Sequence, residues 1–209
     1  VPYLLLFTAI VSVLTTIGIV FTLVFETFEF FSRVSIKEFL TADKWYPFAS
    51  ENPSYGIMAL ITGTLKVTVI AASVAVPIGI ATAVFLSEYA SERTRKVVKP
   101  ILEILAGVPT IVYGFFALTF VTPLLRDLFP SIEMFNSISP GIVVGIMIIP
   151  MIASLSEDAM SSVPNSIREG ALALGATKLE TTFKVILPAA ISGIMASIVL
   201  ALSRAIGET

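Results

Sequence analysis

Residues 3–25 form an apolar run that contains no charged side chain. A helix of about 20 apolar residues is long enough to cross the hydrocarbon core of a bilayer. Because that core offers no water to backbone N–H and C=O groups, segments that cross it must satisfy those groups within a helix or a closed barrel. Only 13% of the residues are charged, whereas a soluble domain carries about 25%. We therefore predict an all-α fold, a polytopic membrane bundle of helices.

The apolar runs divide the chain into five predicted spans within a single transmembrane domain over residues 1–209. We also predict a short interfacial helix over residues 56–63, ahead of the second span. In the fourth span, the small residues Gly141 and Gly145 would let another helix approach closely. The predicted spans are 3–25, 64–86, 101–125, 140–155 and 189–209; between them lie an outer loop, 26–56, and a long polar loop, 156–188.

The basic residues predict which side of the membrane each loop occupies. The densest basic cluster lies in a predicted loop over residues 87–99 and consists of Arg93, Arg95, Lys96 and Lys99. Loops rich in lysine and arginine tend to stay in the cytoplasm. With residue 1 inside, the inner loops carry seven lysine and arginine residues and the outer loops carry four. The long polar loop is therefore predicted to be cytoplasmic.

The long polar loop has the signals of a short helix, a tight turn and a second helix. Pro164 suits the first turn of a helix, and Gly175 suits the residue after a helix end, where φ is positive. Thr177 and Glu180 form a capping box that starts the second helix. The local signals are equally compatible with an ordinary hairpin on the membrane surface. The apolar side of the short helix would contain Ile167, Ala171, Leu172 and Leu174, and its exposed side would contain Arg168 and Glu169.

The same loop resembles the EAA loop of bacterial ABC importer permeases, in which Glu-Ala-Ala, three residues, Gly and nine residues precede Ile-x-Leu-Pro. The spacing matches throughout, with Gly170 in place of the middle alanine and Val185 in place of the isoleucine. In that family the short helix lies in a groove of a cytoplasmic ATPase and carries its motion into the membrane. The resemblance therefore implies an ATPase-coupling loop that contains Glu169, Gly170, Ala171, Gly175, Leu187 and Pro188.

The fifth predicted span contains two charged residues, Arg204 and Glu208. A charge at the centre of a bilayer costs about 2.5–3.5 kcal/mol on insertion scales, so something has to offset it. The i,i+4 spacing lets the two side chains pair on one helix face, on the same stripe as Gly193, Ser197 and Ala201. Two interpretations stay open. The pair either fixes helix packing or forms a site for an oxyanion, whose oxygens match the planar guanidinium.

Several segments of the sequence carry a second resemblance. The segment Arg204-Ala-Ile-Gly-Glu208 resembles the R-A-x-G-E motif of permeases for phosphate, sulfate and molybdate. Residues 105–118 and 86–90 resemble phosphate-specific permeases. The resemblance of Phe115–Leu118 and of the loop Trp45–Pro47 favours the PstC-type subunit over its PstA-type partner. We therefore predict a substrate path that contains Arg204, Glu208, Ser197, Thr110 and Tyr113.

The resemblance implies a permease subunit of an ATP-driven phosphate importer, with the MetI-like fold and a sixth span after Thr209. It would work with a second permease of the PstA type, two cytoplasmic ATPase subunits and an external phosphate-binding protein. Its place would be the cytoplasmic (inner) membrane of a bacterium or archaeon, in contact with lipid. The ATPase subunits would use ATP and Mg²⁺, and the chain itself would bind no cofactor.

Composition restricts the alternatives. The sequence has no cysteine and no histidine, which argues against disulfides, thiol catalysis and Cys/His metal sites. It also has no G-x-x-x-x-G-K-[ST] loop for ATP. We therefore predict no catalytic residue and no metal site, and the net charge of −2 gives no indication of nucleic-acid binding.

Three alternative functions stay open at this point. A permease for sulfate, molybdate or tungstate would share the motif of the fifth span. An ion-coupled secondary transporter or channel would use Arg204 and Glu208 as its internal relay, and it would leave the long capped loop unexplained. An intramembrane enzyme would need a Ser/Lys or two-carboxylate site, for which the sequence offers no clear candidate.

Overall fold

The computed structural model describes residues 2–49 and 51–209. Contacts between Cα atoms divide the chain into two units, residues 1–62 and residues 63–209. Within the described residues, five helices are long and apolar enough to cross a membrane, and this confirms the predicted all-α membrane fold. The prediction of one transmembrane domain over the whole chain stays a prediction. The five helices cover Tyr3–Arg33, Ile57–Tyr89, Thr110–Leu128, Ile138–Ser161 and Lys178–Glu208.

The first unit consists of a long helix followed by a small loop structure. Its elements are α1 (Pro2–Arg33), α2 (Ile36–Thr41), and the antiparallel strands β1 (Trp45–Tyr46) and β2 (Ser54–Tyr55). α1 continues past residue 25, where we predicted the first span to end, and takes up the start of the predicted outer loop. The Thr15 hydroxyl donates to the Val11 carbonyl oxygen at 2.8 Å. Bonds of this kind satisfy hydroxyl groups without water and so suit a lipid environment.

α3 (Ile57–Val84) contains the boundary between the two units and continues as a π-helical segment, Phe85–Tyr89. It is a single uninterrupted helix, so the separate interfacial helix that we predicted over residues 56–63 is wrong. Pro77 lies inside the helix without ending it. Membrane helices tolerate an internal proline because neighbouring groups and small local adjustments satisfy the backbone carbonyl that it frees.

The predicted third span, residues 101–125, is interrupted in the structure. α4 (Glu92–Ala106) ends before Gly107, and the next helical run begins at Thr110. Pro109 lacks the N–H that would continue the helix, and it disfavours helical backbone at the residue before it. The basic cluster therefore lies on α4 and not in a loop over residues 87–99. After Pro109 come α5 (Thr110–Phe116), the π-helical segment Ala117–Val121 and α6 (Thr122–Leu128).

α7 (Ile138–Ser161) is the helix around which the second unit packs. It is followed by α8 (Asn165–Ala173), α9 (Lys178–Thr181), the π-helical segment Thr182–Ile186 and α10 (Leu187–Glu208). α7 and α10 share an apolar core with α3, and burial of this surface is the main favourable term that holds the helices together in this unit. The fully buried members of that core are Ala75, Met147, Ile148, Ile152, Ala201 and Ala205.

Glycine residues on α7 allow α3 to come close. A Cβ atom added to Gly145 would lie 3.0 Å from the Ala71 carbonyl oxygen, and one added to Gly141 would lie 2.7 Å from the Ile70 side chain. The predicted close approach at these two glycines is therefore confirmed. The neighbouring helix in question is α3.

Candidate functional site

Arg204 and Glu208 form the ion pair that their spacing predicts. Arg204 Nε lies 3.8 Å from Glu208 Oε1, and the two side chains are 30% and 28% exposed. Arg204 Nη2 also donates to the Ala106 carbonyl oxygen at 3.3 Å. Ala106 is the last residue of α4, where carbonyl groups lack a partner within the helix. The guanidinium thus connects the end of α10 to the break between α4 and α5.

A cavity of about 330 Å³ lies beside this pair. Three of the predicted path residues line it, namely Thr110, Tyr113 and Glu208, together with apolar residues such as Val143 and Met147. Tyr113 is held in place by its hydroxyl, which donates to the Leu105 carbonyl oxygen at 3.0 Å across the Gly107–Pro109 break. The structure therefore brings together residues from α5, α7 and α10 that the sequence separates by about a hundred positions.

Ser197 lies in a different environment. Only 1% of the residue is exposed, and its Oγ lies 2.6 Å from Ser156 Oγ of α7. It also donates to the Ile194 carbonyl oxygen at 2.7 Å. On the same stripe, a Cβ atom at Gly193 would lie 2.5 Å from the Cβ of Ala159. In this structure the stripe below Arg204 packs against α7, and the assignment of Ser197 to a substrate path stays a prediction.

The signals read from the long polar loop correspond to structural features. α8 begins at Asn165. Pro164 is therefore the residue just before the helix, one position earlier than the first-turn position that we predicted for it. Gly175 has a φ of +87°, a backbone conformation that residues with a Cβ atom rarely adopt. The capping box is complete, because Thr177 Oγ1 accepts from the Glu180 N–H and Glu180 accepts from the Thr177 N–H. A short helix, a tight turn and a second helix are thereby confirmed.

The apolar side chains of α8 are only partly covered. Ile167 is 43% exposed, Leu172 is 49% exposed and Leu174, just after the helix, is 91% exposed. Glu169 and Gly170 are exposed and Ala171 is half-buried. The last two residues of the motif lie on α10, where Leu187 packs beside a buried cluster and Pro188 occupies the first turn. None of the α8 residues is classed as buried.

Arg168 was predicted to lie on the exposed side of the short helix, but in the structure its side chain is largely covered. Its guanidinium Nη2 lies 3.1 Å from Glu88 Oε1, and only 18% of the arginine side chain and 8% of the glutamate side chain are exposed. Nη2 also donates to the Met160 carbonyl oxygen at 2.7 Å, and Nη1 donates to the Val163 carbonyl oxygen. The prediction failed because helical periodicity places a residue on a face but does not identify a partner 80 positions away.

Glu157 is a second acidic residue whose partners sequence reasoning missed. Its side chain is only 1% exposed, and it pairs with Arg95 and Lys99 of α4. Ser161 Oγ donates to Glu157 Oε1 at 2.9 Å. The available signal was an acid at the end of an apolar span together with two basic residues four positions apart, which lie on one face of a helix.

Lys99 contributes to this contact as a charged group. Its Nζ lies 2.9 Å from Glu157 Oε2 and 2.5 Å from Asp158 Oδ1. The hydrogen bond with Asp158 raises the pKa of Lys99 above its ordinary value of 10.5, helped by Glu157 and opposed by partial burial. Lys99 is therefore protonated near neutral pH, and α4 is attached to α7 by ionic bonds on the predicted cytoplasmic side.

Comparison with known proteins bears on the same residues. A sequence profile of the family described as "Binding-protein-dependent transport system inner membrane component" matches residues 75–209. The chain is 43% identical over 175 residues to the "Probable ABC transporter permease protein YqgH" of Bacillus subtilis, covering 84% of this chain and 56% of that protein. It is 36% identical over 222 residues to the "Phosphate transport system permease protein PstC" of Pasteurella multocida, covering 97% of this chain and 68% of the relative.

A solved structure resembles the chain as well. It is entitled "Inward facing conformations of the MetNI methionine ABC transporter" and superposes with a TM-score of 0.61 at 23% identity, covering 73% of this chain and 72% of the other. At this identity the likeness establishes the fold alone. The chain spans a little more than half the length of the Bacillus relative. It belongs to the family of inner membrane components of binding-protein-dependent transport systems and is a multi-pass membrane protein.

Proposed function

We propose that this chain is the transmembrane permease subunit of an ATP-driven importer for inorganic phosphate. The observation that carries the proposal is α8, a short helix between Pro164 and the turn at Gly175, in the loop that resembles the EAA loop. It combines an exposed acid, Glu169, with partly exposed apolar side chains. Several relatives with identities between 31% and 36% bear the name of phosphate transport permeases. That agreement favours phosphate over other oxyanions.

The exposed apolar surface of α8 suits a groove on an ATPase subunit. Helices commonly bind partner proteins by placing apolar residues such as Leu172 into a groove. Burial of apolar surface gains about 25 cal/mol per Å², so several half-exposed side chains give a useful affinity. Glu169 is exposed next to them and is available for a basic residue of the partner.

In this proposal the substrate passes the ion pair of α10. A guanidinium donates two parallel hydrogen bonds to a tetrahedral oxyanion. Arg204 is not part of the cavity lining, but its partner Glu208 is, and Arg204 would bind the oxyanion next to that cavity. Glu208 offsets the charge of Arg204 within the membrane, where an unpaired charge is costly. Its carboxylate would also accept a hydrogen bond from hydrogen phosphate, whereas sulfate has no proton to donate. In this mechanism Arg204 would bind the oxyanion weakly and transiently as it crosses the membrane.

The proposed assembly has this chain beside a second permease of the PstA type, with two ATPase subunits inside and a phosphate-binding protein outside. ATP and Mg²⁺ act in the ATPase subunits. Closure of the ATPase pair would move α8, and the spanning helices would rock between inward-facing and outward-facing arrangements. Phosphate released by the binding protein would then pass Arg204. Selectivity in this mechanism lies mainly in the binding protein.

The test is ATP hydrolysis by the complete complex in proteoliposomes, with binding proteins loaded with phosphate, sulfate or molybdate. Stimulation by the phosphate-loaded protein, lost in Glu169→Lys, is the expected result. Stimulation by sulfate or molybdate instead would keep the permease assignment and replace the substrate. This is the main alternative, since the name of the Bacillus relative gives no substrate. If no ATPase associates with the permease, the proposal is wrong and an ion-coupled transporter takes its place.

A further inference from the structure

We propose that Arg168 is the positioning residue through which movement of α8 reaches the second and fourth membrane helices. The inference rests on the proposed function, because it assigns α8 to contact with an ATPase. It concerns a different side of α8 from the one that Glu169 occupies. Successive residues on a helix point about 100° apart, and Glu169 is exposed while Arg168 is directed into the chain.

The guanidinium of Arg168 engages three elements at once. Nε and Nη2 donate to Glu88 Oε1 in the π-helical segment after α3, at 3.4 and 3.1 Å. Nη2 also donates to the Met160 carbonyl oxygen of α7, and Nη1 donates to the Val163 carbonyl oxygen just beyond it. A further bond joins Nη1 to Asn165 Oδ1 in the first turn of α8, at 3.2 Å. A guanidinium has five N–H donors in a fixed plane, and these five contacts use that capacity.

These contacts favour an arginine at this position for two reasons. The last carbonyl groups of a helix have no partner within it, and they form the negative end of the helix dipole. A cation that donates to the end of α7 therefore gives these carbonyl groups a hydrogen-bond donor and also neutralises the negative end of the dipole. Glu88 is largely buried, so loss of Arg168 would leave its charge without its main partner. Lysine has a single nitrogen and cannot meet Glu88 and two carbonyl oxygens in the same geometry.

Apart from the bonds of Arg168, α8 contacts α9 and the π-helical segment that precedes α10. None of its residues is buried, and a cavity of about 560 Å³, lined mainly by polar residues, borders it. Arg168 and Leu172 of α8 line this cavity, together with Glu88, Arg95 of α4 and Ser161 of α7. Over such a cavity, α8 is not fixed by apolar packing. Its displacement is carried by the charge-assisted bonds of Arg168 to α7 and to the segment after α3.

Glu88 lies in a helical segment that suits movement. Residues 85–89 form a π-helical turn, and turns of this kind recur at functional sites because they interrupt the regular hydrogen-bond ladder. Ser87 Oγ donates to the same Glu88 oxygen at 3.0 Å. A pull on Glu88 therefore acts at the end of the second span, at a turn that can change its hydrogen bonding.

The first test is the ratio of phosphate taken up to ATP hydrolysed by the complete complex in proteoliposomes. Arg168→Gln is expected to retain bound ATPase and to lower this ratio about tenfold, within the usual range of coupling between sites. Arg168→Lys is expected to give an intermediate ratio. The matched control is Lys184→Gln, which also removes one positive charge from this region. Lys184 pairs with Glu180 at 3.0 Å but is 73% exposed, so its ratio should equal that of the wild type.

Two results overturn the inference while leaving the proposed function intact. One is an unchanged ratio in Arg168→Gln. The other is loss of ATPase association in Arg168→Gln, because Arg168 would then serve docking and not transmission. Failure of the wild-type complex to bind an ATPase or to respond to a loaded binding protein is a different outcome, and it removes the proposed function itself.

A distance measurement tests the same inference without transport. The sequence has no cysteine, so spin labels can be attached to Phe85→Cys and Leu174→Cys, at positions that are 50% and 91% exposed. In the otherwise wild-type complex the distance between the labels should be the same with and without ATP, because the two segments move together. With Arg168→Gln added, the distance distribution should broaden and shift when ATP is bound. Identical distributions in the two backgrounds would contradict the inference.

Discussion

Glu157 illustrates how a single residue can hold two helices by charge. Its carboxylate is 1% exposed and meets Arg95, Lys99 and Ser161. An acid buried in this way is costly unless both of its oxygens have partners. Here Oε1 meets Arg95 and Ser161 and Oε2 meets Lys99. The attachment of α4 to α7 therefore depends on the completeness of this contact.

We expect Glu157→Gln to destabilise the protein by about 1–3 kcal/mol, the range for a buried polar group that loses a partner. The cost stays below the 3–5 kcal/mol of a fully buried broken pair, because Arg95 and Lys99 are 34% and 28% exposed and can be hydrated. Unfolding by denaturant in detergent micelles measures this difference. The control Glu92→Gln removes an exposed partner of Lys96 and should change stability little. Equal effects of both substitutions would contradict the proposed role of burial.

Arg204→Lys separates charge from geometry in the ion pair of α10. Lysine keeps the positive charge but cannot donate two parallel hydrogen bonds. We expect uptake by the reconstituted complex to fall about tenfold, which corresponds to the loss of one charge-assisted hydrogen bond. Binding of the ATPase subunits should be unchanged, since Arg204 contacts Ala106 and Glu208 and not α8. Uptake equal to that of the wild type would show that bidentate recognition is not needed.

At the scale of elements, the turn between α8 and α9 is set by one glycine. Gly175 has a φ of +87°, whereas Gly170 lies within α8 with open space where a Cβ would be. We expect Gly175→Ala to destabilise the turn by about 1–2 kcal/mol and Gly170→Ala to stabilise α8 by up to about 1 kcal/mol. Resistance of the intact protein to limited proteolysis at residues 164–177 measures both. The prediction fails if the two alanine substitutions change this resistance in the same direction.

Elements that depend on local signals could be predicted from the sequence, and elements that depend on distant partners could not. The start of α9 and the turn at Gly175 follow from residues within four positions of each other. The continuous course of α3 was missed, because hydropathy alone does not show where a long apolar run leaves the membrane. The break at Gly107–Pro109 was missed because the apolar residues continue across it, although Pro109 was itself the available signal.

At the scale of the whole chain, the distribution of lysine and arginine between the loops predicts which loops face the cytoplasm. Phe48 lies in the predicted outer loop and is 97% exposed, whereas Leu174 lies in the predicted cytoplasmic loop and is 91% exposed. We expect a membrane-impermeant thiol reagent to label Phe48→Cys in intact cells and Leu174→Cys only after the membrane is opened. The unsubstituted sequence has no cysteine and serves as the blank. Labelling with the reverse sidedness would mean that the excess of inner basic residues does not set the topology.

The candidate site could be predicted only in part, for the same physical reason. Thr110 and Tyr113 came from motif resemblance and Glu208 from its charge within a predicted span, and the fold brings them to one cavity. Ser197 was placed on the path by its helical stripe, yet that stripe packs on α7. Periodicity identifies a face of a helix, and only the packing of the other helices decides whether that face meets a cavity or a neighbour.

The bond between Glu88 and Arg168 has a consequence for biosynthesis. The two residues are 80 positions apart, and ribosomes add roughly 5–20 residues per second. Glu88 is therefore made and inserted several seconds before its partner exists, and it has to remain hydrated at the membrane surface during that time. In the proposed assembly, α8 would become fixed for contact with an ATPase only when the spans made after Glu88 have joined those made before it. The order of synthesis would then delay binding of the proposed ATPase until the membrane part is assembled.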